Sequence, residues 1–307
     1  MSNKEHIRFK HYFEYSGFLL LSFFTRLIPL KKLYRVGFFL GDIGYKIIPS
    51  RRRVALQNLI NAYPDADRTS LEAIARGSFR NIAATFLEIL AYPRMSNETI
   101  LERVKVENPE VLNAVISEGK GCLVLTAHYG SWEMAMQVIG ILYGNRMKMA
   151  IEKPLSNPLV DNLIHRYRCA YGGKVFPMQS SVRESLKSLN EGGLVCLAAD
   201  QSAAKESIAV EFFGRKVPTF TGPAILCLRT GAAMLVALAV RQPDGNYSMR
   251  LHRVDTSDLH GVNDANVLEL TKRHVALTEQ LIRQAPDQWM WTHKRWKHVP
   301  DRVKIDL

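Results

Sequence analysis

The sequence predicts an α/β fold in which helices flank a largely parallel central sheet, preceded by an N-terminal helical segment. Short apolar runs alternate with helical patterns between about residues 105 and 255, and this order is typical of a parallel sheet covered on both faces. Of the 307 residues, 47% are hydrophobic and 23% charged, which is a globular composition with enough chain for a large core. We expect membrane-anchoring or interfacial helices in 1–50 and the α/β domain in 51–307.

The first fifty residues combine apolar runs with cations. The run GFLLLSFFT occupies 17–25, but Glu14 and Arg26 interrupt the roughly 20 apolar residues that a spanning helix needs. Phe, Leu, Tyr and Ile alternate with the cations Arg26, Lys31, Lys32, Arg35 and Lys46. This pattern indicates helices on or in an anionic bilayer, and a buried helical hairpin is the alternative. If the segment spans, the positive-inside rule places the rest of the chain in the cytoplasm.

Two helices are predicted before the alternating region. Apolar residues recur at helical spacing over 51–62, and Pro64 ends that helix. A longer helix, capped by Asp67 or Thr69, continues to about residue 91.

Strands and helices then follow one another. Apolar or alternating runs predict the strands VKVE, CLVLTA, MKMAIE, KVFPM, LVCLAA, AMLVALAV and YSMRLHRV. Helical spacing, often closed by glycine, predicts the helices NPEVLNAVISEG, SWEMAMQVIGILYG, NPLVDNLIHRYRCAYGG, SVRESLKSLNEGG, GPAILCLRTG and 266–284. The stretch between LVCLAA and GPAILCLRTG is predicted to be irregular.

A histidine follows the predicted strand CLVLT. His128 lies just past the strand, Gly130 leaves the backbone free to turn, and Glu133 comes five positions later as a helix begins. A carboxylate on one imidazole nitrogen fixes the tautomer, so that the other nitrogen can take a proton from a hydroxyl. The stretch therefore predicts His128 as a general base.

A second carboxylate, Asp200, ends LVCLAAD just past another predicted strand. Sites in such sheets gather beyond the carboxyl ends of strands, so Asp200 is another candidate partner for His128, and a capping role is its structural alternative. Spacing alone does not choose between the acids. Because Glu133 is held locally, we expect it to be the closer partner and Asp200 to orient or face the substrate.

The sequence contains none of several other catalytic patterns. There is no G-x-S-x-G elbow, no glycine loop for a nucleotide phosphate and no metal-spaced His/Cys cluster, and Ser131 fits no triad. We therefore expect direct transfer to a hydroxyl activated by His128, with no metal and no covalent enzyme intermediate.

These motifs resemble those of a known enzyme family. The H-x-x-x-x-E pattern resembles the glycerolipid acyltransferase motif, and HYGSWE is similar to its form in the bacterial lipid A late acyltransferases, the lauroyl and myristoyl transferases of the lysophospholipid acyltransferase-like superfamily. Further similar segments occur in the family's order across roughly 15–298: RRRVALQNLINAYP, KPLSNPLVDNLIHRYR, AADQ, FFGRKVPTFTGPA with RTGA, and APDQWMWTHKRWK.

The resemblance implies a glycerolipid acyltransferase-like enzyme on the cytoplasmic face of the bacterial inner membrane. It would move a fatty acyl chain from acyl carrier protein, or from coenzyme A, to a hydroxyl of a lipid A precursor, with no cofactor besides this donor. His128 would be the base and Glu133 its acidic partner. The supporting or substrate-binding residues, by motif position, would be Asp200, Arg168, Lys153, Asn157, Gln201, Thr221, Gly222 and Arg229.

The net charge of +12 suits acidic partners, namely acyl carrier protein, a phosphorylated glycolipid and an anionic membrane. Lys153, where the family usually has arginine, lacks the bidentate fork for phosphate, and SAAKESIAVE after Asp200 also departs from the family pattern. The acceptor could therefore be another lipid, such as a phosphatidylinositol mannoside, an ornithine lipid or an aryl polyene. A remote alternative is a non-catalytic basic protein that binds lipid or nucleic acid, but no nucleic-acid motif is present, and we expect no such partner.

Overall fold

The computed structural model describes residues 8–150, 155–176 and 180–302. Its strands are β1 (Val104–Val106), β2 (Cys122–Thr126), β3 (Met147–Ala150), β4 (Lys174–Phe176), β5 (Leu194–Ala198), β6 (Ala209–Phe212), β7 (Arg215–Pro218), β8 (Ala233–Arg241) and β9 (Tyr247–Val254). Its helices are α1 (Phe9–Thr25), α2 (Leu33–Ile47), α3 (Pro49–Ala62), α4 (Arg68–Ala91), α5 (Asn97–Arg103), α6 (Pro109–Ser117), α7 (Trp132–Tyr143), α8 (Pro158–Cys169), α9 (Ser181–Asn190), α10 (Gly222–Thr230) and α11 (Asp264–Gln284).

The central sheet has seven strands in the order β1-β9-β8-β2-β5-β3-β4. The strands from β8 to β4 in this order run parallel, whereas β9 is antiparallel to β8 and β1 is parallel to β9. The predicted α/β fold with a largely parallel sheet is therefore confirmed. The exception lies at one edge, where a short turn suffices to join β8 to its antiparallel neighbour.

Both faces of the sheet are buried, which explains why β2 is apolar throughout. Leu123 and Leu125 point into one core, formed with α3, α9, α10 and α11. Cys122 and Val124 point into the other, formed with α5, α6, α7 and α8. Successive side chains of a strand alternate between faces, so a strand covered on both sides needs apolar residues at every position.

The N-terminal helices pack on the α/β domain. Gly37 and Gly41 of α2 face α4 so closely that a Cβ at either position would overlap the backbone of Ala84 or of Arg80. The two helices therefore touch almost backbone to backbone. The predicted boundary at residue 50 stays a prediction. Across the residues that the structure describes, no helix combines the length and the hydropathy that a membrane crossing requires.

One stretch differs from expectation. The segment predicted to be irregular contains β6 and β7, which form an antiparallel hairpin, so that prediction was wrong. Val210, Phe212 and Val217 point inward from the two strands and are buried, whereas Glu211 and Lys216, which are paired across the hairpin, are charged and exposed. Each strand has only four residues, and alternation over so few positions is a weak signal. The predicted cap of α4 is confirmed, because the Asp67 side chain accepts from the Ser70 amide.

Candidate active site

The site lies where two neighbouring strands end. β2 and β5 are parallel and adjacent, with Thr126 opposite Ala198. The Ala199 amide donates to the Thr126 carbonyl at 3.1 Å and extends the pairing by one step. His128 and Asp200 each lie two residues beyond these strand ends, so the sheet brings them together although 72 positions separate them in the chain.

Asp200 binds the His128 imidazole. Its Oδ1 lies 2.8 Å from His128 Nδ1, and its Oδ2 accepts the backbone N–H of the same residue at 2.8 Å. The carboxylate is buried, whereas 21% of the His128 side chain remains exposed. Because an ionised carboxylate only accepts hydrogen bonds, Nδ1 carries the ring proton and Nε2 keeps its lone pair. Nε2 is thus placed to receive a proton.

Glu133 does not hold the imidazole, and the expectation that it is the closer partner was wrong. It pairs with Arg168 instead: Arg168 Nε donates to Glu133 Oε2 at 2.9 Å, and Nη2 donates to Oε1. The reason is geometric. α7 begins at Trp132, so Glu133 points from the first helical turn toward the last turn of α8. Arg168, also predicted for the site, is thereby fixed beside it.

The charges around His128 favour its protonation. Burial alone would lower the pKa of the imidazole, but the charge of Asp200 and its hydrogen bond outweigh burial, and the pKa is raised above 6.5. Glu133 also raises it, and Arg168 opposes the rise. For Asp200, burial favours the neutral acid, but the His128 charge and the hydrogen bonds that the carboxylate accepts lower its pKa to about 2. The pair therefore combines an ionised acid with a more basic imidazole.

The loop that carries His128 is held by its backbone. Gly130 has φ of 54°, and a Cβ there would overlap the Ala239 carbonyl, so glycine is required at this turn, as its position predicted. The Gly130 carbonyl accepts from Asn81 Nδ2 and Thr85 Oγ1 of α4, each at 2.9 Å. The His128 carbonyl accepts the Met290 amide at 3.0 Å. The loop is thus tied to α4 and to the C-terminal segment.

A buried charge cluster supports the same region. Arg241, at the end of β8, donates from Nε to Asn81 Oδ1 at 3.2 Å and from Nη1 to Glu88 Oε1 at 2.8 Å. Glu88 is fully buried and also accepts from Arg103 at 3.1 Å and from Tyr247 at 2.7 Å. Burial would raise the pKa of Glu88, but Arg241 and Arg103 lower it overall. The residue that holds Gly130 is therefore itself held by a buried ion pair.

The other predicted site residues lie at different distances from His128. Gln201 Nε2 is 3.3 Å from His128 Nε2. Thr221 and Gly222 begin α10, beside the end of β5. Arg229 lies in the last turn of α10, exposed and roughly 10 Å along the helix from Gly222 at 1.5 Å per residue. Of the described side chains, Asp200, Gln201 and Trp132 lie against the imidazole, and Arg229 makes no hydrogen bond to it.

Asn157 and Lys153 complete the predicted set. Asn157 is buried and caps α8: its Oδ1 accepts from Leu159, and its Nδ2 donates to Glu14 Oε2 at 2.8 Å and to the His11 carbonyl. The structure thus shows it joining α8 to α1. Lys153 lies outside the described residues.

Residues that no sequence motif marks as functional also contact the His128–Asp200 pair. Trp289 Nε1 donates to Asp200 Oδ2 at 2.8 Å, and the Trp132 ring lies 5.2 Å from the His128 ring. Burial lowers the pKa of nearby His293 to about 4, although Asp200 opposes that effect. The segment APDQWMWTHKRWK resembles the family as a whole, but its sequence does not indicate that Trp289, rather than another of its tryptophans, contacts Asp200.

An apolar cavity of about 250 Å³ opens beside the carboxyl end of β5. Its lining includes Ser185, Leu197, Phe220, Pro223 and Leu226. Within the described residues, no cluster of His, Cys, Asp and Glu is arranged to hold a metal ion.

The chain is similar to known acyltransferases along nearly its whole length. Residues 1–298 match the family model described as bacterial lipid A biosynthesis acyltransferase. The chain is 23% identical to the lipid A biosynthesis lauroyltransferase of Escherichia coli (strain K12), over 90% of this chain and 89% of that protein. It is 24% identical to the lipid A biosynthesis palmitoleoyltransferase of the same strain, over 97% and 95%. A phosphatidylinositol mannoside acyltransferase of Mycolicibacterium smegmatis is 25% identical, over 73% and 72%.

Proposed function

The chain belongs to the bacterial lipid A biosynthesis acyltransferase family, and from that premise we propose that it transfers a fatty acyl chain from a thioester donor to a hydroxyl of a lipid A precursor. The observation that carries the mechanism is the His128–Asp200 pair, in which Asp200 holds Nδ1 and Nε2 is left with its lone pair. A base of this kind serves direct transfer to a hydroxyl.

In the proposed reaction, His128 Nε2 takes the proton of the acceptor hydroxyl as its oxygen attacks the thioester carbonyl. The new C–O bond forms, the C–S bond breaks, and the leaving thiolate takes the proton from the imidazolium. Asp200 stabilises that imidazolium through Oδ1. Gln201 Nε2, at 3.3 Å from Nε2, occupies the direction from which the hydroxyl would approach, so the acceptor would displace this contact.

The apolar cavity beside β5 is an argument that the substrate carries an acyl chain. β5 leads directly from Leu197 into Asp200, so the apolar lining begins only a few residues from the charged pair. An apolar chain gains free energy in proportion to the surface that it removes from water, about 25 cal/mol per Å². We propose that the acyl chain lies in this cavity with its thioester carbonyl at His128. The donor would be acyl carrier protein or coenzyme A.

The proposed function is tested by identifying the lipid that the protein acylates. Purified protein is incubated with acyl–acyl carrier protein or with acyl–coenzyme A, and with a lipid A precursor, and the products are identified by mass spectrometry. A precursor heavier by one acyl chain is the expected result, and the two donor arms identify the donor. Lipids extracted from a deletion strain provide the second test. Intact lipid A together with a missing acyl chain on another glycolipid would favour the mannoside-type alternative that the mycobacterial relative suggests.

Asparagine at position 200 should lower kcat by roughly two orders of magnitude or more. The reason is that its amide can donate to Nδ1 and favour the wrong imidazole tautomer. Glu133→Gln should lower kcat less, because Glu133 bonds Arg168 and not the imidazole. Steady-state kinetics on both variants, with folding checked by thermal unfolding, decide the order. A larger loss for Glu133→Gln would reverse the assignment.

Membrane attachment at the cytoplasmic face of the inner membrane is also proposed. The N-terminal helices expose large apolar side chains: Phe13 is 78% and Phe39 65% exposed. Apolar side chains interleaved with cations suit an anionic lipid interface. Phe13→Glu and Phe39→Glu should each weaken flotation with anionic vesicles, whereas Val262→Glu, at a residue 51% exposed outside these helices, should not. Equal flotation of all three variants would contradict attachment through these helices.

A further inference from the structure

The Asp200 carboxylate accepts a third hydrogen bond, from an indole in the C-terminal segment. Trp289 Nε1 lies 2.8 Å from Oδ2, the oxygen that also accepts the His128 backbone N–H. Oδ1 is thereby left to His128 Nδ1. We propose that Trp289 is a positioning residue that fixes the orientation of the Asp200 carboxylate and, through it, the tautomer of His128. This inference rests on the proposed function only where it concerns turnover.

The indole is fixed by its own packing rather than by the aspartate. Trp289 is 2% exposed. Its ring meets that of Trp291 edge to face at 4.6 Å and stacks on Phe213 at 6.4 Å. Its backbone carbonyl accepts from Ser78 Oγ of α4 at 2.6 Å. These contacts fix the direction of the indole N–H independently of Asp200, so the carboxylate has to orient toward the indole.

An indole N–H suits this position because it can only donate. The Asp200 side chain is 3% exposed, so water cannot replace a missing donor at low cost. Oδ2 accepts from the His128 backbone N–H and from the Trp289 indole N–H, and neither group can accept a proton. The proton between Asp200 and the imidazole therefore lies between Oδ1 and Nδ1. A rotated carboxylate would break this arrangement.

The structure offers a matched pair of variants. Trp289→Phe removes the N–H that reaches Asp200. Trp291→Phe removes an equally buried N–H from the same aromatic cluster, but that N–H donates to the Pro286 carbonyl at 2.7 Å. Both variants delete the same atoms from the same core, so a difference between them reports on the bond to Asp200.

The first measurement is the His128 pKa in the full-length chain in detergent, by NMR of histidine labelled at Cε1. In Trp289→Phe it should rise by roughly half a unit to one unit, because a carboxylate that loses a donor attracts the imidazolium more strongly. In Trp291→Phe it should stay at the wild-type value. The charged and titratable groups that act on the pair are the same in both variants: Glu133, Arg168, His293 and Arg295.

The second measurement is turnover against pH. Trp289→Phe should lower kcat roughly tenfold with KM unchanged, because the buried indole does not touch the substrate. The acid limb of its profile should move to higher pH, in step with the NMR titration. A protein that transfers no acyl group would refute the proposed function and leave the NMR test intact, so the two failures are distinguishable.

An unchanged His128 pKa in Trp289→Phe, or equal shifts in both variants, would reduce Trp289 to core packing. If Trp289→Phe does not fold, the test moves to ¹⁵N-labelled indoles of the otherwise native chain. The sequence contains four tryptophans, and single Trp→Phe variants at the other three positions identify the Trp289 signal by elimination. Asp200→Asn should shift that signal alone, and its failure to move would overturn the proposal.

Discussion

Alanine at position 128 is expected to remove nearly all acyl transfer, with kcat reduced by roughly 10²–10⁴-fold. The imidazole donates its Nδ1 proton to Asp200 and keeps the lone pair of Nε2 for the acceptor hydroxyl, and 21% of its side chain is exposed. Its removal leaves the acceptor hydroxyl without a base. KM should change less than kcat, because proton transfer belongs to the transition state rather than to binding.

The pH dependence provides an independent check of this role. A general base must be neutral before it reacts. Because Asp200 raises the pKa of His128 above 6.5, wild-type kcat/KM should rise with pH through a limb centred above 6.5, and His128→Ala should lack that limb. His260→Ala, at an exposed position, is the matched control and should keep both rate and profile. Retention of a third or more of wild-type activity by His128→Ala would refute the assignment.

Glutamine at position 88 is expected to destabilise the fold by about 3–5 kcal/mol. Glu88 is the carboxylate shared by Arg103 and Arg241, which are themselves almost fully buried. Without its charge, two guanidinium groups stay buried with no counter-ion, and burying an unpaired charge is far more costly than losing an exposed pair. The free energy of unfolding, measured with denaturant in detergent, should fall accordingly.

The matched control for Glu88 is an exposed ion pair. Glu118 binds Arg253 through two hydrogen bonds, but 35% and 48% of these side chains are exposed. Glu118→Gln should therefore cost no more than about 1 kcal/mol. Glu88→Gln should also lower kcat, because Arg241 holds Asn81, which holds the Gly130 carbonyl. If the two variants had equal stability, the buried cluster would not support the fold as described.

Local patterns predicted the elements of the site well, and contacts between distant segments poorly. His128 after β2 and Glu133 at the start of α7 could be placed from the sequence, because an apolar run followed by a helix start is local information. The partner of His128 could not, because the order of β2 and β5 in the sheet decides it and a parallel fold allows more than one order. The pairing of Arg168 with Glu133 could not be predicted either, because the two residues are 35 positions apart in the chain.

The missed residues have a common physical cause. Asn81, Thr85 and Trp289 act on the site from α4 and from the C-terminal segment, through backbone carbonyls and one carboxylate. Asparagine, threonine and tryptophan are common in helices and loops that have no role in a site. No sequence periodicity distinguishes a side chain that contacts the His128 loop from one that does not. Their roles appear only once the chain is folded.

The close contact of α2 with α4 at Gly37 and Gly41 also sets a geometry outside the protein. α4 carries the two side chains that hold the Gly130 carbonyl, and α2 carries Phe39 on its exposed side. Where two helix backbones are in direct contact, no side chains lie between them that could repack and let one helix shift relative to the other. A lipid surface that binds α2 would therefore hold His128 at one fixed distance from the bilayer, and the acceptor hydroxyl would have to be presented at that distance to be acylated.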